Sequence, residues 1–132
     1  MMDAAECLAA GYPVATASVT FIATGDGGRR TMPHLSGVYR PHIVIQDPGV
    51  RRATVGPDGK GNERYLGVQF ISGVNDGEFG VAYESTMVFA YHGRIDYSQA
   101  RSQETFTIRE GARVVGFGTI TSVTWPAQDV AG

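Results

Sequence analysis

The amino-acid sequence predicts an all-β protein built as an antiparallel barrel or sandwich. Three observations indicate this fold class. The 132 residues include 18 glycines, whereas leucine, a strong helix former, occurs only at positions 8, 35 and 66. Short segments of alternating apolar and polar residues recur along the chain, and glycine-containing turns separate them. Alternation with period two is typical of strands with one buried face, and closely spaced strands of this kind favour a barrel or sandwich.

The first predicted strand covers residues 15–24. Its odd positions carry alanine, valine and phenylalanine, and its even positions carry threonine and serine as far as Thr20. This pattern places the apolar side chains on one face, which we expect to be buried. The glycine cluster at residues 25–28 then predicts a turn. Two further strands are predicted at residues 42–46 and 65–71.

The second half of the chain predicts two more strands and a closing hairpin. The predicted segments are 79–83, 85–91, and 104–109 paired with 112–124. We place a two-residue turn at Glu110 and Gly111, because a loop of this length needs a backbone site with positive φ, which glycine supplies without steric cost. The helical candidate covers residues 3–10.

Length and composition narrow the class of protein. A chain of 132 residues predicts one domain. Cys7 is its single cysteine, so no disulfide can form within the chain. No window approaches the ~20 apolar residues that a membrane helix requires, and the first ten residues carry acids where a signal peptide carries bases. We therefore expect a cytoplasmic protein that has no membrane partner.

The formal net charge of −2 at pH 7 argues against a general nucleic-acid binder, since such proteins are usually basic. We expect no DNA partner, although the charge leaves room for a local basic patch. The glycine- and proline-rich residues 47–64 are predicted to form an inserted loop. Loops of this length are often functional or disordered, and both a surface insertion and a binding loop stay open.

The closing hairpin resembles a known family. Residues 108–118 read Ile-Arg-Glu-Gly-x-Arg-x-Val-Gly-x-Gly, which is similar to the last hairpin of the third domain of the bacterial elongation factor Tu family. Residues 27–31 resemble the family's Gly-Gly-Arg-His-Thr turn, with Arg30 in the place of His. Residues 37–41 resemble its Gly-Tyr-Arg-Pro, with Val38 inserted. The resemblance runs from about residue 18 to 123 and implies a single antiparallel six-stranded β-barrel.

The resemblance covers the third domain alone. The sequence contains no Gly-x-x-x-x-Gly-Lys-Ser/Thr, the loop whose backbone amides and lysine hold nucleotide phosphates. We therefore expect no GTP hydrolysis and no cofactor. The expected organisation is an N-terminal extension at residues 1–14, a translation-factor-type barrel at 15–125 with the inserted loop at 47–64, and a C-terminal tail at 126–132.

In the family, one edge of this barrel contacts the T-stem of aminoacyl-tRNA, and other surfaces contact protein partners. The resemblance implies the following candidates for RNA or partner binding: Arg29, Arg30, His42, His92, Glu110 and Gly111. His42 replaces a glutamine of the family, and His92 lies near the position of a lysine whose loss weakens phosphate binding. The Glu110–Gly111 pair is also explained by the turn that it makes.

Catalytic and metal sites are not predicted. His34, His42 and His92 show no recognisable metal spacing, and no Gly-x-Ser-x-Gly is present for a serine nucleophile. Tyr39 and Arg40 are expected to brace the barrel, with Arg40 a candidate for a buried ion pair. Trp125 is expected to plug one barrel end, although an exposed interaction spot is the alternative.

We therefore expect a non-catalytic binding module that resembles the third domain of elongation factor Tu. It would present a barrel surface to a protein partner as a mimic, competitor or adaptor. The alternative is an RNA-binding barrel that grips the T-stem of tRNA or another A-form helix. An enzyme with a site in the inserted loop is the third hypothesis.

Overall fold

The computed structural model of the chain describes residues 3–49 and 64–127, and in these ranges it has one short α-helix and six strands. The elements are α1 (Ala4–Ala9), β1 (Val14–Phe21), β2 (His42–Ile45), β3 (Leu66–Ser72), β4 (Ala82–Phe89), β5 (Thr105–Glu110) and β6 (Arg113–Thr124). Most of the predicted loop at 47–64, and residues 128–132 of the predicted tail, lie outside the described residues.

The six strands close into a barrel in the order β1-β4-β3-β2-β5-β6, with β6 pairing back onto β1. All six strand pairs are antiparallel. Closure gives each strand a neighbour on both sides, so the barrel has no open sheet edge. This architecture confirms the predicted all-β fold, a single antiparallel six-stranded β-barrel.

β1 follows the alternation that predicts it. Its inward residues, among them Ala15, Ala17 and Val19, are fully buried. β1 also pairs with β6, which approaches it closely at Gly118, where a Cβ atom would lie 2.4 Å from the Ser18 carbonyl oxygen. β1 ends at Phe21 rather than at residue 24, because the chain enters a short 3-10 turn there.

The closing hairpin forms as predicted, but its loop is shifted by one residue. Glu110 is the last residue of β5 and pairs with Arg113, so the two loop residues are Gly111 and Ala112 rather than Glu110 and Gly111. Gly111 has φ +61°, and a positive φ at the first of two loop residues is typical of a type II′ turn. Glu110 is thereby placed inside the sheet, where its side chain has a fixed direction.

A single strand, β4, replaces the two predicted strands at 79–83 and 85–91. The chain turns at Gly80, whose φ is +77° and whose N–H donates to the Phe21 carbonyl at 2.9 Å. From residue 82 onwards the alternation runs without a break, and Ser85, Met87 and Phe89 all face the interior. Tyr91, which shares their parity, lies beyond the strand end and is exposed.

The predicted helix at residues 3–10 is present as α1. Asp3 and Glu6 form a capping box, in which each side chain accepts from the other's backbone N–H. The helix packs Cys7 on the outer face of the barrel against Val14, Ile71 and Val88. In the ranges that the structure describes, no helix has the length and apolar character needed to cross a membrane.

Candidate functional site

The first candidate region lies beside the β5–β6 turn and consists of Arg29, Tyr39 and Glu110, which we call the hairpin-end cluster. The Arg29 guanidinium forms an ion pair with Glu110 Oε2, and Tyr39 Oη donates a 2.6 Å hydrogen bond to the same oxygen. The guanidinium carbon lies 5.1 Å from the Tyr39 ring centre. Because the Arg29 and Glu110 side chains are only 23% and 29% exposed, the three groups are largely withdrawn from solvent.

The loop that carries Arg29 is fastened to the barrel by its backbone. The Arg29 N–H donates to the Ile22 carbonyl at 2.8 Å, and Arg113 donates to the Gly28 carbonyl at 3.2 Å. A Cβ atom at Gly28 would lie 1.9 Å from the Ile22 carbonyl oxygen, so only glycine allows this approach. Arg29 Nε also donates to the Thr31 carbonyl at 2.9 Å. The contacts on either side of Arg29 in the chain therefore fix the direction of its guanidinium towards the β5–β6 turn.

The electrostatics of this cluster favour a structural role. Burial raises the pKa of the Tyr39 hydroxyl far above its usual range, and the Glu110 carboxylate raises that pKa further through its hydrogen bond and its charge. Arg29 opposes this shift with a smaller effect. A phenol with a raised pKa remains a proton donor and is a poor general base. The cluster acts as a clamp that joins three separate chain segments.

The structure brings together only part of the predicted binding set. Arg29, Glu110 and Gly111 lie at the hairpin end of the barrel, and the exposed Arg30 follows Arg29 directly. His42 lies on β2, half-buried, with its ring 5.8 Å from that of Tyr65. The remaining candidate, His92, lies at the opposite end of the barrel: it follows β4, whose Val88 pairs with Val14 at the start of β1, and its ring is 5.9 Å from that of Trp125.

Two bracing predictions have different outcomes. Tyr39 packs its ring against Phe21 and Phe70, at centroid distances of 5.9 and 5.7 Å. Arg40, in contrast, is exposed and forms no buried ion pair, so that prediction is wrong. The reason is the alternation of an extended segment, which turns Arg40 outward when its neighbour turns inward. Trp125 contacts Phe89 edge-on at 6.1 Å but keeps 37% of its surface exposed, so it covers the barrel end only in part.

The sequence did not predict the burial of Arg109. Its side chain is fully buried and donates to Thr107 Oγ1 and Tyr65 Oη at 3.1 Å each, and to Gln46 Oε1 at 2.5 Å. It also lies 5.6 Å from the Tyr65 ring centre. Arg109 alternates with inward-facing Ile108 and would project into solvent if nothing covered β5. The sequence pattern reports which side of the strand a residue faces, but it does not report what packs on the outside.

The second candidate region is an apolar groove of about 550 Å³ on the outer face of the barrel, which we call the outer groove. It is lined by Cys7, Tyr12, Gly37, Val38, Arg40, Gln69, Ile71, Val88, Ala90 and Tyr91. The floor consists of outward-facing residues of β3 and β4. The rims come from the end of α1 and from the segment before β2. Among the lining residues that the structure describes, Arg40 alone is charged.

One rim of the outer groove is held rigidly against β3. The Val68 and Phe70 N–H groups donate to the Pro41 and Tyr39 carbonyls at 3.1 and 2.9 Å, which extends the pairing of this segment beyond β2. Gln69 points outward between them and donates its side-chain amide to the Gly37 carbonyl at 2.7 Å. The rim residues Val38 and Arg40 are therefore displayed from a fixed backbone, and Val38 keeps 78% of its surface exposed.

Tyr91 also lines the outer groove, and its ring packs directly against the backbone of Gly67. A Cβ atom on Gly67 would lie 2.3 Å from the Tyr91 ring, so the ring rests on bare backbone. Buried Tyr97 fastens this arrangement: its hydroxyl donates to the Gly67 carbonyl at 2.6 Å and accepts from the Tyr91 N–H at 3.0 Å. Tyr97 also stacks on Phe89 at 4.6 Å. Tyr91 thus has a set position although it is 44% exposed.

Sequence reasoning missed the outer groove, but the sequence contained one signal for it. Val38 interrupts the Gly-Tyr-Arg-Pro motif as an inserted β-branched residue in a segment bounded by glycine and proline. A single exposed apolar residue is common on protein surfaces, so Val38 becomes informative only together with the other exposed apolar residues of the groove. Tyr91 gave no comparable signal, because its parity matches that of the buried Phe89.

Two buried nucleophiles of the described residues, Cys7 and Ser85, lack an activating partner. Burial raises the pKa of the Cys7 thiol, and nearby Asp3 and Glu6 raise it further, which keeps the thiol protonated. The Ser85 hydroxyl is buried and has no hydrogen-bond partner, so no base activates it. Over residues 3–49 and 64–127, no three His, Cys, Asp or Glu residues are placed to hold a metal ion.

The chain matches no protein-family model and no curated protein. Its likeness to the third domain of elongation factor Tu therefore stays a prediction from the motifs at residues 27–31, 37–41 and 108–118.

Proposed function

We propose that this chain is a non-catalytic binding module that presents its barrel surface to a protein partner in the cytoplasm. In this proposal it resembles a translation-factor barrel that works by contact and makes or breaks no bond of its own. The outer groove is the observation that carries the proposal. Exposed apolar residues gathered in one concave patch on a small barrel are typical of an interaction surface.

The chemistry of the groove favours a protein over a nucleic acid. Tyr12 and Tyr91 are 38% and 44% exposed, and tyrosine is enriched among the residues that dominate protein interfaces. Nucleic-acid surfaces instead need several cationic groups that meet phosphates. Over residues 3–49 and 64–127, the outer groove has one such group, Arg40.

A second candidate is RNA binding at the hairpin end. Three arginines, Arg29, Arg30 and Arg113, occur there, and Arg30 and Arg113 are exposed, so the hairpin end offers cationic groups to a phosphate. The pairing of Arg29 with Glu110 and Tyr39 weighs against this candidate, since a phosphate would have to compete with a partly buried ion pair.

Affinity capture from cytosol with three forms of the chain tests the proposal. The wild type is compared with Val38→Asp, which places a charge in the groove, and with Arg30→Ala, which alters the hairpin end. The proposal expects a specific protein that is retained by the wild type and by Arg30→Ala and is lost with Val38→Asp. Capture that is equal on all three forms would show that the groove is not the binding surface.

A filter-binding titration with bulk tRNA at low salt decides the second candidate. RNA recognition at the hairpin end requires measurable affinity that falls in Arg29→Ala and Arg30→Ala and weakens as salt rises. Val38→Asp serves as the control that should leave RNA affinity unchanged. Undetectable affinity, or affinity that neither arginine affects, would remove this candidate.

A further inference from the structure

The outer groove has the dimensions of a site for a few side chains. A volume of about 550 Å³ lies within the range of small-ligand and peptide pockets. A stable dimer interface instead buries roughly 800 Å² of each partner over a broad surface. The groove therefore suits a short segment that inserts one or two apolar side chains better than it suits the face of a second copy of this chain.

The positive charge of Arg40 in the groove indicates that its ligand carries a negative charge. Arg40 is exposed, and it makes no hydrogen bond or ion pair with any residue in the ranges 3–49 and 64–127. Its backbone is nevertheless fixed, because the neighbouring Tyr39 is anchored in the core and the Tyr39 and Pro41 carbonyls bond to β3. A guanidinium that extends from a fixed backbone at the rim of an apolar pocket is suited to a carboxylate, which it can bind through two parallel hydrogen bonds.

We infer that the outer groove binds a short protein segment in which an apolar side chain lies next to an Asp or Glu. The apolar side chain fills the space between Tyr12, Ile71 and Tyr91, and the acidic side chain pairs with Arg40 at the rim. This inference rests on the proposed binding function and deepens it by naming the chemistry of the partner. Val38 and Tyr91 supply the flanking contact that excludes water from the pair.

A charge reversal tests the inference with a displayed library of short random peptides as the probe. The library is selected in parallel on wild type, on Arg40→Glu and on Arg30→Glu, which makes the same charge change at an exposed arginine outside the groove. Wild type and Arg30→Glu are expected to select an apolar residue beside an acid. Arg40→Glu is expected to select Lys or Arg in place of the acid. The wild-type peptides should bind Arg40→Glu about tenfold more weakly or worse.

Three results would overturn the inference. The first is a set of selected peptides with no excess of acids, and the second is equal affinity for Arg40→Glu and Arg30→Glu. The third is a different occupant, seen as dodecanoate binding that Val38→Asp removes, or as a concentration-dependent dimer in sedimentation that Val38→Asp removes. Thermal unfolding of each variant shows that the fold is intact, which we expect because Val38, Arg30 and Arg40 are exposed.

The capture experiment, repeated with Arg40→Glu as a fourth form of the chain, separates this inference from the proposed function. A partner that is lost with Val38→Asp but retained with Arg40→Glu would preserve the binding module and overturn the acidic segment. If neither capture nor the library yields a binder at the groove, the proposed function itself fails. A captured protein supports the inference only if the part of it that contacts the groove contains the apolar and acidic pair.

Discussion

The hairpin-end cluster and the outer groove lie on one barrel, but the polar groups of the first are paired with one another and the exposed groups of the second are not. In the hairpin-end cluster, Arg29 and Glu110 neutralise each other and Tyr39 donates to the same carboxylate. In the outer groove, apolar side chains remain in contact with solvent and Arg40 has no partner among the described residues. Polar groups that bond to one another stabilise a fold, whereas unpartnered groups on a rigid backbone are available to a ligand. We therefore expect changes in the hairpin-end cluster to affect the stability of the fold and changes in the outer groove to affect binding.

The two regions are joined by the segment that precedes β2. Tyr39 points inward to Phe21 and Phe70 and reaches Glu110, whereas Arg40 points outward to the groove. Alternation in an extended segment thus gives adjacent residues opposite tasks. The backbone of this segment bonds to β3, so one fixed stretch of chain carries both Tyr39 and the groove rim.

The largest expected effect on stability belongs to Gly28→Ala. The added methyl group would lie 1.9 Å from the Ile22 carbonyl oxygen, which belongs to the backbone and cannot swing away. The loop would have to lift off the barrel and carry Arg29 away from Glu110. We expect a loss of about 3 kcal/mol in the free energy of unfolding, measured by chemical denaturation.

Gly25→Ala is the matched control for this substitution. Gly25 lies in the same loop, but a Cβ atom there would meet nothing within 4 Å, and the residue has no positive φ. Its unfolding free energy should stay within about 0.5 kcal/mol of the wild type. Similar losses in both variants would show that the loop responds to any side chain and that the contact with Ile22 is not the cause.

A smaller loss is expected from Glu110→Ala. The change removes the acceptor shared by Arg29 and Tyr39 and leaves both donors partly buried without it. We expect a cost of about 2 kcal/mol in denaturant unfolding. Glu104→Ala serves as the comparison, since its pair with Arg101 is 3.6 Å long and mostly exposed, and such pairs contribute roughly 0.5 kcal/mol or less. Equal effects of the two changes would contradict the clamp.

Much of this fold could be predicted from the sequence, because strands and turns leave local patterns. The alternation of β1 and the glycine of the β5–β6 turn predict those elements, since each pattern is set by neighbours in the chain. The predicted break between strands 79–83 and 85–91 is in the wrong place. The chain turns at Gly80, whose φ is positive, and the sequence alone does not distinguish such a glycine from one inside a strand. Local patterns thus predict elements better than they predict boundaries.

The candidate site could be predicted only in part, because it depends on contacts between distant segments. The motifs at residues 27–31 and 108–118 place both Arg29 and Glu110 in the predicted binding set, and the structure brings these two residues together from 81 positions apart. The sequence did not reveal that they meet each other instead of a ligand. The outer groove is formed by α1, the rim segment and two strands, and no local pattern reports which outward faces are left uncovered when such elements pack.

Raising the pH tests the Tyr39–Glu110 contact of the hairpin-end cluster, and its expected effect on the free energy of unfolding is smaller than that of Glu110→Ala. Burial and Glu110 raise the pKa of Tyr39 in the folded chain, whereas in the unfolded chain the phenol ionises near pH ~10. Below that pH the hydroxyl is protonated in both states and its contribution to stability is complete. Above it the unfolded state loses the proton first, so stability falls as pH rises, by up to about 1.4 kcal/mol per pH unit for this one group.

Tyr39→Phe removes this pH dependence together with the hydrogen bond to Glu110. At neutral pH the variant should be less stable than the wild type by about 1 kcal/mol. The gap should narrow as the pH rises above ~10. The other tyrosines are common to both proteins, so their titration cancels in the difference. Unfolding free energies measured at a series of pH values give the gap directly, and a constant gap would mean that Tyr39 ionises alike in the folded and unfolded chains.

The smallest effect on stability is expected from Val38→Asp, the same change that should abolish capture of the partner. Val38 is 78% exposed and follows a glycine, so the folded barrel buries little of it and loses little when it becomes charged. The unfolding free energy should change by no more than about 0.5 kcal/mol. A loss as large as that of Glu110→Ala would mean that the groove rim belongs to the packing of the barrel, and loss of binding in Val38→Asp would then report a damaged fold. A stable variant that no longer binds would instead separate the surface that holds the barrel together from the surface that it offers to a partner.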